Sequence, residues 1–170
     1  MWKYVAGVGT IATVGLVAGR RAAMRVIDDL MHLKPNPVAS FQIVAGATQE
    51  GRPRPMFVWS VGTSNLPRYR DRGQYLAWGA FRSWLQMARA ARKDGVDLTG
   101  QLVNSFRTWT HQRSVGGAPA GQSAHQRGTA VDVNTVGAEG SAAQTWLERH
   151  GHEYGWSRTY TGRHHWEYFG

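Results

Sequence analysis

The chain has 170 residues, with 20 basic against 11 acidic side chains and a formal net charge of +9. That length buries one core of useful size without room for a second full domain, and eight Trp with 21 Gly describe a folded, loop-rich chain rather than a disordered one. The charge favours polyanionic surroundings such as nucleic acid, anionic lipid or acidic cell-wall polymers; the absence of cysteine excludes disulfides and thiolate metal sites, so any metal must be held by His, Asp or Glu.

Residues 4–19, YVAGVGTIATVGLVAG, form an uncharged stretch of 16 residues followed by Arg20 and Arg21. It is shorter than the roughly 20 residues of a comfortable transmembrane helix, and three readings compete: a secretory signal, a weak membrane anchor, or an apolar helix buried in an assembly. The basic amphipathic run RRAAMRVIDDLMHL extends this helix until KPNP stops it, giving an N-terminal helical segment over 1–34. Residues 35–75 read as short strands, ASFQIVAG and MFVWSVGT, around the turn-rich TQEGRPRP.

The main domain is expected over 76–170. QYLAWGAFRSWLQMARAARKDG carries a helical stripe of Ala77, Phe81, Trp84, Ala88 and Ala91, closed by Gly95. VDLTGQLVNSFRTWTHQ reads as a strand entering a short helix, and SVGGAPAGQ as a loop. Ser141 with Gln144 makes a capping-box pattern ahead of a helix through TWLERHGHEYGW, and RHHWEYFG reads as a terminal strand. The expected class is α+β, helices packed on a small antiparallel sheet.

Chemistry concentrates in SAHQRGTAVDVN, residues 123–134. TAVDV alternates Thr129, Val131 and Val133 on one face with Ala130, Asp132 and Asn134 on the other, and a lone carboxylate there needs a partner. Gly128 permits a turn that brings His125 beside that strand. Taken alone, the two are more often a hydrogen-bonded structural pair than a pair of ligands. His165 in the closing strand offers a third ligand, and two imidazoles with one carboxylate and an open fourth position make the ligand set of catalytic zinc.

SAHQRGTAVDVN resembles the S-x-H-x-x-G-x-A-x-D signature of the zinc D-Ala-D-Ala carboxypeptidases and related peptidoglycan peptidases of the VanY type. LQMARAARKDGVDLTGQLVNSFRTWTHQ is similar to that family's helix, strand and substrate-arginine segment, TWLERHGHEYGW to its following helix, and HHWEYFG to its closing W-H-W-E-Y segment. The resemblance runs in order from about residue 76 to the end. It implies a LAS-type metallopeptidase fold, zinc held by His125, Asp132 and His165, and a substrate peptide held by Arg107 with Gln112 and Ser123 nearby. A guanidinium grips a terminal carboxylate with two parallel hydrogen bonds, which suits Arg107 to that part.

One departure stands out. The family pattern E-P-W-H puts the general-base Glu three residues before the last ligand, and here that position is Gly162. A positioned base is typically worth about 10²–10⁴-fold in rate. Glu167, two residues after His165 and on the same face of an extended strand, ranks first as a substitute, with a salt bridge to an arginine as its other meaning. His164 alternates to the opposite face unless the strand is bulged, and Glu153 would have to arrive from the helix. His111, His150 and His152 read as surface or outer residues. Trp109, Trp146, Trp156 and Trp166 read mostly as core, with one or two left to wall a groove.

The expectation is therefore a zinc peptidase acting on peptidoglycan stem peptides, as a D,D-carboxypeptidase or an endopeptidase. It would work at the cell envelope, membrane-anchored or exported. The glycine-rich apolar N-terminus also resembles signal-anchor lytic enzymes of bacteriophages or a peptidase built into a virion, with residues 1–34 making the membrane or virion contact. The rival expectation, motivated by Gly162, is a catalytically silent relative that binds wall peptide or serves a structural role. Nucleic-acid binding rests on charge alone.

Overall fold

A computed structural model describes residues 41–170 apart from Asp71, Gly116, Tyr160 and Thr161, and the N-terminal helical segment expected at 1–34 lies outside the described residues. Strands β1 (Phe41–Ala47), β2 (Pro53–Thr63) and β3 (Gly73–Leu76) form an antiparallel sheet in the order β1-β2-β3. β2 begins inside the expected turn and carries Pro53 and Pro55. Both are tolerated because β3 pairs only with Trp59–Thr63, which leaves the first half of β2 with an open edge for residues that cannot donate.

Helix α1 (Trp78–Lys93) buries Ala80, Ser83, Trp84, Met87 and Ala91. Trp84 and Ala91 belong to the expected stripe. Phe81 and Ala88 are only half-buried: Phe81 gathers with Trp59 and Trp78, and Met87 is buried in the core beside Ala88. The helix ends as expected, with Gly95 at φ +77 after the cap Asp94.

A second antiparallel sheet follows: β4 (Leu102–Asn104), β5 (Ala130–Val133), β6 (Trp156–Arg158) and β7 (His165–Tyr168), in the order β4-β5-β7-β6. Helices α2 (Trp109–Val115) and α3 (Gly137–His150) are the other α-helices among the described residues. The class is α+β, with two small antiparallel sheets where one was expected. The boundary expected between 75 and 76 falls within β3, whose Leu76 is fully buried in the same core as α1 and β5.

Two further local expectations need correction. α3 starts at Gly137, so Ser141 and Gln144 lie inside the helix and cap nothing. TWLERHGHEYGW is not helical throughout: Gly151–Tyr154 tighten into a 3₁₀ turn, Gly155 takes φ +76, and Trp156 opens β6. A Cβ at 155 would lie 2.8 Å from the Gly170 carbonyl oxygen, so this reversal requires glycine.

Trp156 anchors the main core. It packs edge-on against Trp84 with ring centroids 5.3 Å apart, and its indole N–H donates to Ser83 Oγ at 2.9 Å. Ser83 in turn donates to the Tyr154 carbonyl at 2.5 Å, tying α1 to the turn that launches β6. Among the described residues no helix is long and apolar enough to cross a membrane. Trp156→Ala, which empties a fully buried site and removes the donor to Ser83 Oγ, is expected to cost about 3–5 kcal/mol, measured by chemical denaturation.

Candidate metal centre

β5 is buried along its whole length. Val131 and Val133 enter the main core, and alternation turns Asp132 the other way, where its register partner across the β5–β7 ladder is His165. Direct pairing on antiparallel strands brings the two side chains together without any loop geometry. His125 arrives from a 3₁₀ turn, Ala124–Arg127, capped by Ser123, whose Oγ accepts the His125 N–H at 3.3 Å. Gly128 closes the turn at φ +69, and its carbonyl accepts the Ala77 N–H at 2.9 Å. A Cβ at 128 would lie 2.7 Å from that nitrogen, so glycine is needed there both for φ and for space.

Hydrogen-bond partners assign the tautomers. His125 Nδ1 is 2.6 Å from the Ser105 carbonyl, which can only accept, so the proton belongs on Nδ1 and the lone pair on Nε2. His165 Nε2 is 3.1 Å from Glu167 Oε1, which places a proton on Nε2 and aims Nδ1 inward. His125 Nε2, His165 Nδ1 and Asp132 Oδ1 then form a triangle with edges of 3.2, 2.9 and 3.2 Å. A tetrahedral zinc with bonds of about 2.0–2.1 Å spaces its ligands by roughly 3.3 Å, so the donor set and its spacing both fit that ion. Among the described residues this is the one group of three or more such side chains that could hold a metal.

Charge reinforces the geometry. Burial alone would raise the Asp132 pKa, but hydrogen bonds from His125 and His165, their charge and that of Arg107 outweigh it, holding the carboxyl well below the usual carboxylate range. Burial pushes His125 down against the pull of Asp132, which favours its neutral form. For His165 burial also works downward, but Asp132 and then Glu167 outweigh it and raise the pKa. His165 is thus the imidazole of the pair whose protonated form its surroundings favour, and zinc binding at Nδ1 would compete with a proton there.

Arg107 Nη2 donates to Asp132 Oδ2 at 2.5 Å, and Nη1 points to Gln112 Oε1 at 3.4 Å. Gln112 is buried and donates to the Ala118 carbonyl at 2.8 Å; Ser123 is buried as the cap of the His125 turn. Gln112 thus links Arg107 to the loop at Ala118, and Ser123 fixes the turn that carries His125. Glu167 shares the face of His165, as expected for a strand, yet meets the ring on the edge away from the metal ligands. That contact engages the Glu167 carboxylate on the far nitrogen of His165 and orients the ring.

His164 departs from expectation. β7 begins at His165, so His164 sits in the preceding turn, exempt from strand alternation, with Nε2 4.0 Å from Asp132 Oδ1. Glu153 pairs with His150 at 3.0 Å on the surface. His111, in α2, has its pKa lowered by burial and then by the charge of Arg107, and His152 is exposed in the turn after α3. Trp146, Trp156 and Trp166 are core residues, and Trp109 is the half-buried one.

Two outcomes are expected. Glu167→Ala should weaken zinc binding by about 10–100-fold with the fold intact, by competition titration against a chromophoric chelator. In the same assay the apparent zinc affinity of the native chain should fall on acidification through the raised titration range of His165, by about tenfold per pH unit for each displaced proton.

The profile of the family described as VanY, D-alanyl-D-alanine carboxypeptidase, matches residues 73–169. No curated protein matches the sequence. Among solved structures, a variant of the vancomycin-resistance D,D-pentapeptidase VanY from a VanB-type cassette, in complex with Zn(II), aligns at 22% identity and TM-score 0.51, covering 65% of this chain and 79% of its own. VanYB in complex with D-alanine-D-alanine aligns equally, at 22% identity and TM-score 0.51 over 66% and 79%. The LD-carboxypeptidase LdcB aligns at 23% identity and TM-score 0.49 over 56% and 60%.

Proposed function

The chain belongs to the VanY family of D-alanyl-D-alanine carboxypeptidases, and on that premise we propose that it is a zinc-dependent peptidase of peptidoglycan stem peptides. The observation that carries this reading is the convergence of three metal-seeking lone pairs, from His125, Asp132 and His165, beside the guanidinium of Arg107. Bound there, zinc would polarise a scissile carbonyl and acidify water toward a pKa of about 7. Arg107 has one arm on Asp132, while its buried Nε has no hydrogen-bond partner among the described residues. Its Nη1 reaches Gln112 Oε1 at 3.4 Å, so the guanidinium stands beside the ligands as a fixed positive charge for a substrate carboxylate or carbonyl oxygen. With a terminal carboxylate bound there the reaction is a D,D-carboxypeptidase cut; with an internal carbonyl it is an endopeptidase cut.

A place at the cell envelope belongs to the same reading, supported by the charge of +9 against anionic wall polymers. A second reading, a silent relative that only binds wall peptide, is favoured by Gly162, which has no side chain to take a proton. Release of D-alanine or cleaved stem peptide from purified peptidoglycan separates the two. The zinc-loaded chain is expected to release product, and both chelation and His125→Ala to abolish it. A folded, zinc-loaded chain that releases nothing from several wall types would favour the silent reading.

A further inference from the structure

Hydrolysis of an amide at a metal-activated water needs a group to take the water's proton and return it to the departing amine. The carboxylates near the ligands are engaged. Glu167 holds His165 Nε2, Glu153 pairs with His150, and Asp132 is divided between the imidazoles and Arg107. The space beside Gly162 is filled by another side chain: a Cβ at 162 would lie 3.0 Å from His164 Cε1 and 3.2 Å from its Nδ1.

Three features set His164 apart from the other histidines outside the triangle. Its Nε2 is 4.0 Å from Asp132 Oδ1, the atom shared by both ligand imidazoles, so the ring edge borders the site. Its side chain is 56% exposed, which leaves the ring open to water and substrate. Its backbone is fixed, since the His164 carbonyl accepts the Val133 N–H at 2.8 Å and seats the turn against β5. The 4.0 Å separation exceeds the 2.9–3.2 Å edges of the ligand triangle, which places the ring beside the metal position and not among its ligands.

We propose that His164 is the general base of this site, an inference that rests on the peptidase reading above. As the water oxygen bonds to the scissile carbonyl carbon, its proton passes to Nε2 of His164. When the C–N bond breaks, that proton moves to the leaving amine nitrogen, and the imidazole returns to its neutral form. Acid and amine products, with no net change at His164, balance the hydrolysis.

The experiment compares the wild-type chain with His164→Ala and His164→Gln, reading zinc affinity, kcat and KM on a stem pentapeptide, and recovery of activity on adding imidazole. Both variants are expected to bind one zinc with unchanged affinity, which also reports a folded site, and to lose about 10²–10⁴-fold in kcat with little change in KM. Added imidazole is expected to restore part of the activity of His164→Ala, whose side chain leaves room for it, and none in His164→Gln. Near-wild-type kcat in both variants would overturn the assignment while leaving the peptidase reading standing. So would a fall in zinc affinity alongside activity, which would make His164 a fourth ligand. A wild-type chain without turnover would remove the peptidase reading and this inference together.

Discussion

The site depends on a single carboxylate oxygen. Asp132 Oδ1 lies within 3.2 Å of both ligand imidazoles, and the register that pairs Asp132 with His165 follows from the same ladder that buries Val131 and Val133 on the other face of β5. A slip of one residue in that ladder would send the valines to the site and Asp132 into the core, so the hydrophobic effect that fixes the strand also fixes the metal centre.

An ionised carboxylate that is nearly out of water is tolerated only when its lone pairs are used. Here both oxygens are: Oδ2 by Arg107, Oδ1 by the two histidines. Each histidine is in turn oriented from its far nitrogen, His125 by the Ser105 carbonyl and His165 by Glu167. The two outer partners differ in kind. A neutral carbonyl behind His125 and a carboxylate behind His165 fit the opposite directions in which burial and partners move the two imidazoles, one toward the neutral form and the other toward the cation.

The parts of this arrangement that were legible in the sequence are those governed by short-range rules. The alternation in TAVDV separated Asp132 from the core valines, and Gly128 marked the turn that returns His125. Period-two reasoning also put Glu167 on the face of His165. It could not say which edge of the imidazole Glu167 would meet, since that depends on a ring rotation set by Asp132 on a different strand. His164 was misplaced because its position hinges on where β7 starts. Only the pairing with β5 decides that the strand opens at His165, leaving its neighbour in a turn. β6 was hidden for a similar reason: an apparently continuous helix through residue 156 is broken by Gly155 at φ +76 packed against the Gly170 carbonyl, a contact with the far end of the chain.

Gly162 and His164 are best understood as one feature. Gly162 holds φ +145, a backbone conformation that L side chains rarely adopt, and the volume a side chain would enter there is occupied by the His164 ring. A side chain at 162 would crowd the His164 ring in this position, and the backbone there already disfavours any L residue. The turn that carries Gly162 also brings the His164 imidazole to within 4.0 Å of Asp132 Oδ1. Absence of one proton acceptor and presence of another are consequences of the same local geometry.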